Sequence, residues 1–148
     1  MTYAEALKYL DSFINYEKEK TFQYPENLNL DRMRRLSKEL GNPQNAYPSI
    51  IIAGSKGKGS VAAILSSILR MENLKVGLYT SPHLNDVRER IQVNGLCINE
   101  IRFTEYLSRL YKMLDEYAWR KDTPTYFEVL TAIAFCHFKE MKVQAAVL

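Results

Sequence analysis

The chain has few cysteines and no long apolar run, and each of these shortages excludes a class of protein. Its 148 residues include two cysteines, Cys97 and Cys136, which lie far apart and outside any C-x-x-C motif. We therefore expect neither a disulfide scaffold nor a structural zinc site, and isolated thiols fit a reducing compartment. No apolar run approaches the roughly 18 residues that a membrane span requires. Charged residues also interrupt the amino-terminal segment where a signal peptide would be apolar, so we expect a cytoplasmic protein without a membrane partner.

The charge balance gives no sign of a polyanionic partner. There are 20 lysines and arginines against 17 acidic residues, which gives a net charge of +3. The densest basic group, Arg32, Arg34 and Arg35, is small. Since a nucleic-acid binder normally concentrates its cations on one face or element, no nucleic-acid partner is expected. The 47% of hydrophobic and 25% of charged residues are typical of an ordinary globular protein.

Apolar spacing and turn residues predict alternating helices and strands. The predicted helices cover 3–17, 30–40, 59–72, 100–119 and 125–140. The predicted strands cover 49–53 and 75–80, a hairpin over 90–98 around Asn94-Gly95, and a buried strand that begins at 145. This alternation favours an α/β fold that contains a P-loop, with a mostly parallel sheet flanked by helices. We expect a helical lead-in over 1–45 and the P-loop core over 49–148.

The segment 50–60 has the composition of a phosphate-binding loop. A β-branched run leads into AGSKGKGS, and a helical pattern begins directly afterwards. Glycines let backbone N–H groups turn toward an anion, and the helix N-terminus adds unpaired donors. Lys58 supplies a full positive charge and Ser60 a hydroxyl, although only two residues separate Gly54 from Gly57, unlike the usual G-x-x-x-x-G-K-[ST] spacing. A glycine-rich turn without a ligand is the simpler alternative, but it would need neither Lys58 nor three glycines.

Further motifs extend this pattern along the chain. They are YTSPHL at 79–84, ERIQVNG at 89–95, TYFEVLTAIAF at 125–135 and the closing QAAVL. With AGSKGKGS, similar to AGTNGKGS, these blocks resemble the folylpolyglutamate synthase and dihydrofolate synthase family of the Mur-ligase superfamily, in the family's order. The glycine loop and the first three of these motifs make four blocks in register over about a hundred residues, which is more specific than one glycine loop. Ser55 and Lys56 replace the family's threonine and asparagine, which keeps a hydroxyl and adds a second cation.

The resemblance implies an ATP-dependent amide ligase that adds L-glutamate to a folate or dihydropteroate carboxylate through an acyl phosphate. It implies Mg²⁺ binding at Ser81 and a catalytic role for Lys58. It implies that ATP is bound by Gly54, Ser55, Gly57, Lys58, Gly59 and Ser60. It implies that the pterin-type substrate is bound by Asn27, Leu28, Asn29 and Leu30 and by Thr125, Tyr126, Phe127 and Glu128. Full-length family members are expected to be monomers, and these motifs do not distinguish dihydropteroate from folate substrates.

Several of these residues also have simpler interpretations. The turn at Ser81 is typical of a serine-proline turn after a strand. By pattern alone, Phe127 is equally typical of core packing at helical spacing with Leu130 and Ala134. We interpret His83 as a residue that orients its loop or is solvated, and not as catalytic.

The predicted β-α-β crossover returns Ser81 to the sheet edge that carries the glycine loop, so a shared Mg–ATP site is expected there. In the family, a magnesium-binding glutamate directly follows the strand that QAAVL resembles. We therefore expect the chain to be an amino-terminal part of the central ATPase domain, without the C-terminal domain. Alone it should bind nucleotide weakly at best and should not ligate.

Two other functions fit the glycine loop. A small P-loop kinase or NTPase would need its own acidic strand end and an arginine-rich lid. A non-catalytic nucleotide-binding interaction module would expose apolar surface for a partner.

Overall fold

Five helices and five strands make up the secondary structure in the computed structural model, which describes residues 1–17, 30–115, 119 and 122–148. The helices are α1 (Tyr3–Asp11), α2 (Leu30–Glu39), α3 (Lys58–Met71), α4 (Glu100–Leu114) and α5 (Tyr126–Glu140). The strands are β1 (Ser49–Ile50), β2 (Val76–Tyr79), β3 (Ile91–Val93), β4 (Leu96–Cys97) and β5 (Ala145–Val147). Two 3₁₀ turns cover Pro43–Ala46 and Val87–Arg90. The predicted order of elements is confirmed, although several elements end earlier than expected.

The chain forms two compact units, each built from two stretches of sequence. Unit 1 comprises Met1–Asn42 and Ile101–Ile133, and unit 2 comprises Pro43–Glu100 and Ala134–Leu148. The sequence predicts a helical lead-in over 1–45 and a P-loop core over 49–148. In the structure, residues 101–133 belong with the lead-in, and the glycine loop lies in unit 2.

Helix α1 of unit 1 begins at a capping box and ends earlier than predicted. The Thr2 hydroxyl accepts a hydrogen bond from the Glu5 amide at 3.2 Å, and the Glu5 carboxylate accepts one from the Thr2 amide at 2.7 Å. The predicted helix continues to residue 17. Ser12 ends it, because the Ser12 hydroxyl and amide both donate to the Tyr9 carbonyl, at 2.6 and 3.1 Å.

Helix α4 supplies much of the apolar core of unit 1. Phe103 packs edge-on against Tyr3 with ring centroids 6.0 Å apart. The other buried residues on α4 recur at helical spacing and are Tyr106, Leu107, Leu110 and Leu114. The helix was predicted to reach residue 119 but ends at Leu114, and residues 116–118 lie outside the described residues.

The sheet of unit 2 is mixed, with the strand order β1-β5-β2-β3-β4. Strand β5 pairs in parallel with both β1 and β2, whereas β3 pairs antiparallel with β2 and β4. The predicted hairpin is confirmed: Asn94 and Gly95 both have positive φ, at 52° and 79°, as a two-residue type I′ turn requires. The sheet is therefore parallel on the side of the glycine loop and antiparallel on the other side.

The two faces of strand β2 pack against different helices, because side chains alternate along a strand. Val76 and Leu78 form a buried cluster with Ala62 of α3. Gly77 faces the ring of Phe138, which is fully buried on the part of α5 that belongs to unit 2. The central strand is thus covered on both sides.

Strand β1 is shorter than the predicted strand 49–53 and forms one edge of the sheet. Its pairing continues past the assigned residues, because the Ile52 amide donates to the Leu148 carbonyl at 2.8 Å. No strand pairs with the outer side of β1 in the described part of the chain, and Ile50 and Ile51 are exposed. The β-branched run thus predicted the strand, of which Ser49–Ile50 are regular.

We predict that Gly77→Ala destabilises the protein. An added Cβ would lie 2.8–3.0 Å from three atoms of the Phe138 ring, which is closer than real contacts allow. Overpacking of this kind costs about 1–3 kcal/mol in the free energy of unfolding. Urea unfolding followed by circular dichroism measures this cost.

Gly59→Ala is the matched control. The same methyl group at Gly59 meets nothing within 4 Å and lies in helix α3. It should raise the unfolding free energy by up to about 1 kcal/mol. Equal effects of the two substitutions would contradict the proposed clash with Phe138.

Candidate nucleotide-binding site

Two loops leave the same edge of the sheet in unit 2. Strands β1, β5 and β2 run parallel to one another, so their carboxyl ends lie on one side. The glycine loop follows β1, and the turn that contains Ser81 follows β2. Ligands of open α/β sheets gather at the carboxyl ends of strands. The predicted common edge for the glycine loop and Ser81 is present, with the end of β5 between them.

The glycine loop ends in an uncapped helix terminus. Gly57 is the N-cap of α3 and has a φ of +77°, a left-handed conformation that favours glycine. Within the described residues no side chain caps this end, and the first turn of α3 contains no acidic residue. The first intrahelical bond runs from the Val61 amide to the Gly57 carbonyl, at 3.0 Å. Backbone N–H groups before Val61 are therefore available to an anion, which the helix dipole also favours.

The side chain of Lys58 folds back across the glycine loop. Its Nζ donates to the Gly54 carbonyl at 2.8 Å, and the side chain is exposed. An ammonium group has three donors, so one bond to the loop leaves capacity for an oxyanion. Lys56 is exposed beside it, and neither lysine forms an ion pair with another described residue. The loop therefore carries two positive charges that no carboxylate neutralises there.

The turn after β2 continues into a segment held by its own side chains. The Glu89 carboxylate accepts three backbone hydrogen bonds, from Leu84 at 2.8 Å, Asn85 at 3.1 Å and Asp86 at 2.9 Å. These donors lower the pKa of Glu89, with the Leu84 amide the largest cause. Arg88 forms a bidentate pair with Asp86, the shortest distance being 2.6 Å. Residues 84–89 therefore have a defined conformation beside Ser81.

His83 and Arg90 form a contact that the sequence did not indicate. The Arg90 Nε donates to His83 Nδ1 at 2.8 Å, and Arg90 is only 2% exposed. The two residues belong to different motif blocks, and a lone histidine after a proline carries no signal of a partner seven residues away.

The block Thr125–Glu128 begins helix α5 in unit 1. Thr125 and Glu128 form a capping box, with the Thr125 amide donating to Glu128 Oε2 at 2.7 Å and the Glu128 amide donating to Thr125 Oγ1 at 3.2 Å. Glu128 Oε2 also accepts a bond from Arg32 Nε at 2.7 Å. Glu128 therefore has a structural role in addition to any contact with a ligand.

The aromatic residues of this block differ in exposure. Tyr126 is buried, with 4% of its surface exposed, whereas Phe127 is 46% exposed. Leu130 and Ala134 on the same helix are fully buried. Phe127 is thus not a core residue, which removes the simpler interpretation of this ring. An exposed ring at a helix start is available to a flat ligand.

The other predicted substrate loop is described only at its end. Leu30 is the first residue of α2 and is 67% exposed. Asn27, Leu28 and Asn29 lie outside the described residues. Leu30 and Thr125–Glu128 belong to unit 1, whereas the glycine loop and Ser81 belong to unit 2.

The described residues contain no group of three or more His, Cys, Asp or Glu side chains arranged to hold a metal ion. They also contain no helix with the length and apolar character needed to cross a membrane.

Comparison with known proteins gives related sequences. No family model matches the chain. The chain is 46% identical over 110 residues to a probable bifunctional folylpolyglutamate synthase/dihydropteroate synthase of Halobacterium salinarum, which covers 74% of this chain and 14% of that protein. It is 39% identical over 125 residues to a probable dihydrofolate synthetase of Schizosaccharomyces pombe, which covers 84% of this chain and 29% of that protein. The chain thus spans less than a third of the length of these relatives.

Solved structures share the fold over nearly the whole chain. The folylpolyglutamate synthase of Thermotoga maritima matches with a TM-score of 0.81 and 38% identity, covering 99% of this chain and 32% of that structure. The folylpolyglutamate synthase of Mycobacterium tuberculosis complexed with ADP matches with a TM-score of 0.82 and 32% identity. The match covers 98% of this chain and 31% of that structure. An FPGS–AMPPCP–folate complex matches with a TM-score of 0.84 and 29% identity. The match covers 100% of this chain and 35% of that structure.

Fold and loop together define an α/β protein of the Mur-ligase type with a P-loop. The chain belongs to the folylpolyglutamate synthase and dihydrofolate synthase family, and it corresponds to about a third of the solved structures. The resemblance read from the four motif blocks is therefore confirmed. The roles of the individual site residues stay predictions.

We predict that the segment 84–86 loosens in acid as Glu89 is protonated. The folded pKa of Glu89 lies below its ordinary value of 4.5. Its contribution to stability is therefore fully present above pH 4.5 and is lost as the pH falls through the lower, folded pKa. The amide shifts of Leu84, Asn85 and Asp86, followed by NMR, should change together with a midpoint below pH 4.5.

Glu89→Gln should remove this acid transition from the three amides. Glu5→Gln is the control, because the pKa of Glu5 is also lowered, by its bonds with Thr2 in helix α1. It should leave the transition at 84–86 unchanged. A midpoint at or above pH 4.5 in the unmodified chain would show that the three amides do not hold the carboxylate.

Proposed function

We propose that the chain takes part in the ATP-dependent ligation of L-glutamate to a folate or dihydropteroate carboxylate through an acyl-phosphate intermediate. The observation that carries the proposal is the uncapped start of α3 beside Lys58, which offers backbone donors and positive charge to a triphosphate. The names of the relatives and the AMPPCP–folate complex support the nucleotide and the folate-type substrate. L-glutamate as the second substrate is proposed from the family alone.

The loop residues would bind and orient the nucleotide. Phosphoryl transfer requires positioning and charge neutralisation more than covalent participation by the protein. In this proposal the amides of Gly59 and Ser60 cradle phosphate oxygens, and Lys58 bridges them. The bond from Lys58 to the Gly54 carbonyl keeps the ammonium over the loop before the nucleotide arrives. Gly57 provides the left-handed turn that aims these donors.

Ser81 would hold Mg²⁺ at the same edge. Mg²⁺ takes oxygen ligands and commonly combines one or two protein oxygens with substrate phosphates and water. The exposed Ser81 hydroxyl fits such a minimal protein contribution, and the segment that follows it is held by Glu89 at Leu84 and Asp86. When bound, Mg²⁺ would neutralise charge on the phosphate oxygens.

The start of helix α5 would bind the pterin-type ring. Phe127 is the exposed ring of this block, and the Thr125–Glu128 capping box fixes the helix turn from which it projects. Arg32 and the Thr125 amide both bond to Oε2 of Glu128, and Oε1 has no hydrogen-bond partner among the described residues. An amino group of the substrate could therefore meet Oε1. Leu30 would add apolar contact.

The alternative functions receive no support from the relatives, which are folate-type ligases. The expectations that the chain alone binds nucleotide weakly and does not ligate, and that the full-length protein is a monomer, stay predictions. A cytoplasmic location also stays a prediction, since one relative is the mitochondrial folylpolyglutamate synthase of Homo sapiens.

We predict that Lys58→Ala weakens the binding of Mg–AMPPCP by at least about tenfold, because it removes a charged hydrogen bond to phosphate. NMR titration of the Gly57, Gly59 and Ser60 amides measures binding even when it is weak. The melting temperature should change little, because the Lys58 side chain is exposed.

Lys56→Ala is the matched control for charge. It removes an exposed lysine from the same loop and should weaken binding less than Lys58→Ala does. Equal losses would indicate that the loop acts only as a diffuse positive patch. No change in either variant would refute the nucleotide site.

We predict that Phe127→Ala weakens the binding of folic acid about three- to tenfold, because aromatic stacking contributes roughly 0.5–1.5 kcal/mol beyond buried area. Phe127→Tyr keeps the ring and should bind within about twofold of the unmodified chain. Folic acid titrations followed by fluorescence measure both. Identical affinities for Phe127→Ala and Phe127→Tyr would exclude stacking on this ring.

A further inference from the structure

The hydrogen bond between Arg90 and His83 determines which nitrogen of the imidazole carries the proton. The arginine Nε always donates and never accepts. His83 Nδ1, at 2.8 Å from Arg90 Nε, must therefore accept and be unprotonated. A histidine with a bare Nδ1 is neutral and carries its proton on Nε2.

The ring is held from a rigid base. Arg90 is 2% exposed, and its carbonyl accepts a hydrogen bond from the Thr80 amide at 3.0 Å, which ties it to the end of β2. The carboxylate of the neighbouring Glu89 accepts hydrogen bonds from the amides of Leu84 and Asp86, which follow His83 in the chain. His83 thus lies in a segment that is fixed at both ends.

The other side of the ring is available for a ligand. His83 is half-buried, and within the described residues its Nε2 has no hydrogen-bond partner and is in contact with solvent. His83 lies two residues beyond Ser81, at the sheet edge that also carries the glycine loop. A neutral N–H donor is therefore placed at the edge where the proposed phosphates would bind.

We propose that His83 is a binding residue of this edge, whose Nε2–H donates a hydrogen bond to a phosphoryl oxygen, and that Arg90 is the positioning residue that fixes its tautomer. This inference rests on the proposed nucleotide-binding function. The neutral imidazole keeps its proton, so its contribution is a directed donor without a change in charge. The arrangement differs from the solvated or loop-orienting role that the sequence suggested.

Two substitutions separate the two sides of the ring. His83→Asn places an amide oxygen near the position of Nδ1, so it keeps an acceptor for Arg90 but has no donor at the position of Nε2. His83→Gln places an amide nitrogen near the position of Nε2, so it keeps the donor but loses the acceptor. Thermal melting reports the contact with Arg90, and NMR titration with Mg–AMPPCP reports the contact with phosphate.

The expected results are opposite for the two variants. His83→Asn should melt like the unmodified chain and bind Mg–AMPPCP about tenfold more weakly, the loss expected for a hydrogen bond to a charged acceptor. His83→Gln should melt at a lower temperature and keep affinity within about threefold. In the unmodified chain, ¹⁵N NMR of the histidine ring should show a protonated Nε2 and a bare Nδ1.

The outcomes distinguish this inference from the function on which it rests. If Mg–AMPPCP binds, Lys58→Ala removes the binding and His83→Asn does not weaken it, the role of His83 is wrong and the nucleotide site stands. A proton on Nδ1 would likewise overturn the inference. If the unmodified chain shows no binding and Lys58→Ala behaves identically, the proposed function fails, and the donor role of His83 fails with it.

Discussion

The position of strand β5 between β1 and β2 is the constraint on which the candidate site depends. Because β5 pairs in parallel with both neighbours, the glycine loop and the Ser81 turn leave the same edge of the sheet. Without β5, the loop after β1 would have no fixed relation to the turn after β2. Residues 145–147 thus assemble the edge although they contribute no side chain to the proposed site.

The two loops at this edge reach their conformations by different means. In the glycine loop, backbone donors at the start of α3 stay unpaired, and Lys58 folds back onto the Gly54 carbonyl. In the segment after β2, Glu89 and Arg90 satisfy backbone and side-chain groups internally. One loop therefore leaves backbone donors unpaired, while the other uses its charged residues to hold His83 and the segment after it in place.

Local patterns predicted most elements, and their errors have physical causes. The hairpin at Asn94-Gly95 was found because its turn residues must have positive φ, a local requirement. The helix predicted over 3–17 is too long because apolar spacing continues to Ile14, whereas the hydrogen bonds from Ser12 to the Tyr9 carbonyl end helix α1. The α/β sheet with parallel strands beside the glycine loop agrees with the prediction, whereas the antiparallel addition of β3 to β2 was not predicted, because long-range pairing decides it.

The sequence by itself determined the phosphate-type loop, the family and the helix that begins at Lys58, because these depend on residues adjacent in the chain. The tertiary structure alone decided that β5 lies between β1 and β2, that Arg32 bonds to Glu128, and that Phe127 is exposed. It also decided the contact of Arg90 with His83. Such contacts depend on which segments pack together, and the packing free energy of distant segments is not encoded in local spacing.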